Sequence, residues 1–65
     1  MKHYDINFVD GTVETVEANI EELPSDREGW WLVTHLHLDA ETQTKLVHHG
    51  RIYVNMRNVT FIKET

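Results

Sequence analysis

Cysteine is absent from this chain, so neither a disulfide nor a thiolate metal site can brace it. Positive charge is also scarce. Six Lys and Arg stand against eleven Asp and Glu, a net charge of −5. The six are Lys2, Arg27, Lys45, Arg51, Arg57 and Lys63, scattered without a run. Nonspecific nucleic-acid binding takes its affinity from Lys and Arg neutralising phosphates, and this chain is poorly supplied for it. No stretch approaches the ~18 apolar residues of a membrane helix. Met1–Asn7 lacks the apolar run of a signal peptide, so the cytoplasm is the expected address. Serine occurs once, as Ser25 beside the single proline, Pro24. With no Gly-rich phosphate loop either, nothing reads as an enzyme, and no cofactor is called for.

What is present is short-range alternation. Tyr4, Ile6 and Phe8 point one way while His3, Asp5 and Asn7 point the other, the period of a half-buried strand. Asp10-Gly11 is a strong hairpin signal, because a type I′ turn needs positive φ at both central residues. A strict two-residue turn would set Phe8 opposite Val13 and throw Val16 and Ala18 onto the wrong face. A bulge near Glu14 or Thr15, or a longer turn, is therefore expected. Asn19 with Glu22 can cap one helical turn over Ile20–Leu23, which Pro24 then stops. A polar loop follows, from Pro24 to Gly29.

Trp30–Leu38 is the most strand-like segment. Trp30, Leu32, Thr34, Leu36 and Leu38 share one face; Trp31, Val33, His35 and His37 share the other. Residues 40–49 admit two readings. Asp39 and Gly50 can bracket a helix, but its apolar stripe is thin and its Thr and His residues are mediocre helix formers. The preferred reading is a turn over Ala40–Gln43 and a strand from Thr44 onward, with Gly50 as a bulge or bend. Ile52 and Val54 continue that strand, Met56-Arg57-Asn58 is a turn of 3₁₀ size, and Val59–Lys63 closes the chain. The expectation is a single all-β domain over residues 1–65. Its form is a small SH3-like barrel or a strongly curved antiparallel sheet of four to five strands, with at most one short helical turn. A chain this short buries only ~60% of its unfolded surface, so a partner would help to stabilise it.

Phe8-x-Asp10-Gly11-Thr12, Trp31-Leu32-Val33 and Asn55-x-x-Asn58-Val59-x-x-Ile62 together resemble small uncharacterised β proteins of Gram-positive phages and prophages. The resemblance spans most of the chain. It implies a small β fold and a mobile-element origin, and it brings no activity. The histidines and the extra length between Leu38 and Arg51 depart from that pattern.

Three constellations stand out. The first is Trp30-Trp31. Neighbours on a strand face opposite ways, so one tryptophan fills the core and the other is free to bind or to be covered by the Ile20–Leu23 turn. A protein–protein interaction module, binding a partner or itself, is the leading functional reading. The second is His35, His37 and either His48 or His49. A returning strand brings these imidazoles near one another, and His35, His37 and His48 form the candidate Zn²⁺ set. His35-x-His37-x-Asp39 also matches the start of the metallo-β-lactamase metal motif. Ala40 stands where that motif needs histidine, so the match reads as accidental. The third is the acidic group Glu14, Glu17, Glu21, Glu22, Asp26 and Glu28. Its plain reading is a solvated face; its sharper one is an acidic inhibitor or DNA mimic acting on a host enzyme.

Overall fold

The alternating segments do form strands. The computed structural model describes residues 1–26 and 28–65; Arg27, in the predicted polar loop, lies outside them. Among the described residues there are five strands: β1 Lys2–Phe8, β2 Val13–Ala18, β3 Trp30–Leu38, β4 Leu46–Asn55 and β5 Val59–Glu64. All neighbours run antiparallel, in the order β4-β3-β2-β1-β5. The expected all-β fold is what the chain adopts, as a curved sheet that does not close into a hydrogen-bonded barrel.

The curvature follows from connectivity. β4 and β5 are the two edges, four interstrand spacings apart, which is ~19 Å in a flat sheet. Yet only the 3₁₀ turn Met56–Asn58 joins them, and it rises ~2 Å per residue. The sheet has to roll for so short a link to reach. Two backbone bonds fasten the link to both sides. The Met56 amide donates to the Gly29 carbonyl at 3.0 Å, and the Val9 amide donates to the Asn58 carbonyl at 2.8 Å. A second 3₁₀ turn, Ile20–Glu22, stands where the helical turn over Ile20–Leu23 was expected. The Asn19 side chain caps it by accepting from the Glu21 amide at 3.0 Å.

The β1–β2 turn takes the longer form. The Gly11 amide donates to the Phe8 carbonyl, the Phe8 amide donates to the Thr12 carbonyl, and Gly11 sits at φ +89°. Val9, Asp10 and Gly11 make a three-residue loop rather than the two-residue type I′ turn. That extra residue sets Tyr4 opposite Val16 and Lys2 opposite Ala18. Tyr4, Ile6, Val16 and Ala18 thus share the concave face. Trp31, Val33, Val54, Met56 and Val59 complete one buried cluster with them. Trp31 is fully buried, its ring 5.9 Å from that of Tyr4, and its indole N–H donates to the Asn19 carbonyl at 3.3 Å.

Residues 40–49 hold no helix. The loop from Asp39 to Lys45 is tied by the Gln43 amide to the Asp39 carbonyl (2.9 Å) and by the Asp39 amide to the Lys45 carbonyl (2.7 Å). β4 begins at Leu46, two residues later than the sequence suggests. Its ladder with β3 shifts once. Thr34 faces Arg51 and Leu36 faces His48, so His49 and Gly50 together stand opposite His35. Gly50, at φ +99°, is the bulge residue.

Candidate functional site

Strand parity sorts the candidate residues onto two faces. Trp31 opposes Val54 and Val33 opposes Ile52, all turned toward the core. The intervening pairs therefore lie on the convex face: Trp30 with Asn55, Leu32 with Tyr53, and Thr34 with Arg51. Trp30 is 60% exposed and Tyr53 67% exposed. Arg51 is exposed beside them. At the rim, the Arg57 guanidinium donates to Glu28 at 2.7 Å. Trp31 is fully buried and presents no surface, while Trp30 stands exposed. The helical turn, offered as a cover for the second tryptophan, lies over Trp31 through Asn19 and leaves Trp30 bare. Tyr53 faces away from Ile52 and Val54 by local alternation, and Arg51 shares its side. Only the β3–β4 register sets them beside Trp30.

The histidines divide in the same way. His35, His37 and His49 gather where the concave face continues beyond the core. The rings of His37 and His49 stack at 4.1 Å with 10° between their planes, and His35 meets His37 edge-on at 4.4 Å. His35 lies 6.1 Å from His49. The Nε2 of His35 sits 2.5 Å from an oxygen of Glu14 on β2. His48 is not in this group. As the neighbour of His49 it turns to the convex face, 3.4 Å from Glu17. His3 of β1 reaches the other oxygen of Glu17 at 3.3 Å. The Glu17 carboxyl is held below the usual carboxylate range, first by the hydrogen bond from His3 and further by His48, against the opposing effect of burial. The predicted trio of His35, His37 and His48 is thus split, and His49 takes the third place. Among the described residues, no three His, Cys, Asp or Glu side chains stand ready to hold a metal ion in their present orientations.

The acidic group is split as well. Glu14 and Glu17 leave β2 on opposite faces, one paired with His35 and the other with His3 and His48. An open depression of about 430 Å³ lies at the β1–β2 turn, lined by Phe8, Val9, Asp10, Thr12, Glu14 and Asn58. Its Asp10 is occupied with structure. It accepts from both the Thr12 hydroxyl (2.7 Å) and the Thr12 amide (3.0 Å), which lower its pKa. Among the described residues, no helix is long and apolar enough to cross a membrane. No protein-family model, no curated protein and no solved structure matches this chain significantly.

Proposed function

We propose that this domain is a protein–protein interaction module whose contact surface is the convex face of the β3–β4 hairpin. One observation carries the reading: Trp30, Tyr53 and Arg51 stand exposed on the same face of the same two strands. Trp, Tyr and Arg are the residue types most enriched among binding hot spots. Packing does not account for Trp30: Trp31 is the tryptophan in the core, and Trp30 is left exposed. Leu32 and Thr34 lie between the anchors on the same face, and the Arg57–Glu28 pair supplies a polar rim. The setting we propose is the cytoplasm of a host cell carrying a phage or prophage gene, on the motif resemblance alone. An SH3-like description of the roll belongs to the same proposal, supported by the short turn that joins its two edges.

The test uses a photo-crosslinking residue in place of Tyr53, with Glu41 in the exposed loop as the control position. Light scattering over a concentration series runs beside it. A mass that rises with concentration, and does so no longer in Trp30→Ala/Tyr53→Ala, makes the partner a second copy. A constant monomer mass with a discrete adduct from position 53 and none from position 41 makes it another protein. A constant mass with no adduct preferring position 53 overturns the proposal.

A further inference from the structure

The three imidazoles of His35, His37 and His49 come from two adjacent strands and are brought together by one backbone irregularity. Without the bulge at Gly50 the pairing beyond it would slip by a residue, and His48 rather than His49 would face His35's side of the sheet. Ring centres in the cluster are 4.1, 4.4 and 6.1 Å apart. Imidazoles bound to one tetrahedral Zn²⁺ through nitrogens at ~2.0–2.1 Å have centres roughly 5 Å apart. The observed spacings bracket that value. What differs is ring orientation, because His37 and His49 now stack face to face. Both are exposed, so turning their rings disturbs no core packing and leaves an ion an open approach.

Glu14 adds a second requirement of a metal site. Histidines that bind a metal through one nitrogen commonly give the other to a carboxylate, which sets the tautomer and the ring direction. Glu14 already occupies Nε2 of His35, leaving Nδ1 for an ion. We propose that His35, His37 and His49 bind a first-row divalent cation of the Zn²⁺ class, with Glu14 as the positioning residue for His35. Water completes the coordination. Binding opens the His37–His49 stack and ties β3 to β4 across the bulge. This site is separate from the aromatic convex face, so either assignment can fail without the other.

The experiment is a Zn²⁺ titration at fixed, mildly alkaline pH, since metal and protons compete for the same imidazole nitrogens. Calorimetry gives the affinity, and long-range ¹H–¹⁵N spectra of the imidazoles name the ligands. The wild-type protein takes up one ion per chain with shifts at His35, His37 and His49. His37→Ala and His49→Ala, both at exposed positions, each weaken binding by at least about tenfold, and Glu14→Gln weakens it by ~10–100-fold. His3→Ala and His48→Ala leave it unchanged. Tryptophan fluorescence, with the buried Trp31 contributing, confirms that each variant is folded. Absence of saturable binding overturns the proposal. So does a loss in His48→Ala that equals the loss in His49→Ala, which would put the ion at the Glu17 cluster.

Discussion

Replacing Gly50 by L-alanine should destabilise the domain, and replacing it by D-alanine should stabilise it. Gly50 adopts φ +99°, and an L-configured β-carbon built there meets no atom within 4 Å. Steric crowding by neighbours therefore drops out, leaving only the backbone. An L-residue forced to left-handed φ costs ~1–2 kcal/mol. Restricting the unfolded chain returns ~0.4–1 kcal/mol of that for any Gly→Ala change. The net loss for L-alanine is thus about 1 kcal/mol, or roughly 4–8 °C in melting temperature for a domain of this size. D-Alanine prefers positive φ, so only the favourable change remains, a gain of ~0.4–1 kcal/mol. A 65-residue chain is within reach of chemical synthesis, which makes the comparison practical. Urea titration followed by tryptophan fluorescence gives both values. Equal effects of the two enantiomers would refute the argument, because then the bulge does not require a left-handed residue. Gly11, at φ +89° and also with open space around it, should show the same split.

The two tryptophans should differ sharply in urea titration: Trp31→Ala costs ~3–5 kcal/mol, enough to unfold a marginal domain, while Trp30→Ala costs less than ~1 kcal/mol. Gly29→Ala fails for a reason opposite to Gly50, since its β-carbon would lie 2.5 Å from Cβ and 2.9 Å from Cγ of Pro24. The expected cost is ~1–3 kcal/mol, and Pro24→Gly should relieve it in a double-mutant cycle, whereas strict additivity would show that the clash is not the cause. Asp10 and Glu17 both have lowered pKa values in the folded chain, so each favours folding in its charged form. Their contribution is complete above the ordinary carboxylate range and disappears as pH falls through the lowered values. Asp10→Asn should accordingly flatten the acid limb of a melting-temperature profile, and an unchanged limb would contradict the Thr12 hydrogen bonds as its source.

The chain's local pattern determined which segments are strands and, to within about two residues, where they end. Alternation in Lys2–Phe8 and Trp30–Leu38 is visible because successive side chains on a strand face opposite ways. Asp10-Gly11, Asn19, Pro24 and Gly50 mark breaks because each alters the backbone angles or hydrogen bonds open to its own residue. From these alone come the all-β class, the two short turns and the bend at Gly50. The pattern also required one tryptophan to be spare. It did not say which, since both faces of Trp30–Leu38 are partly apolar. That choice belongs to the rolled sheet, which closes over Trp31 and leaves Trp30 outside. The histidines make the same point more strongly. His35 and His37 share a face by local parity, but their third neighbour depends on register between strands. A one-residue difference exchanges His48 for His49. The length of the Asp39–Lys45 loop and the bulge at Gly50 set that register, and neither can be counted before the ladder has formed. Pairing of Glu14 with His35, and of Glu17 with His3 and His48, likewise joins residues far apart in the chain. Local sequence constrains a residue's direction; only the tertiary structure decides what it meets there.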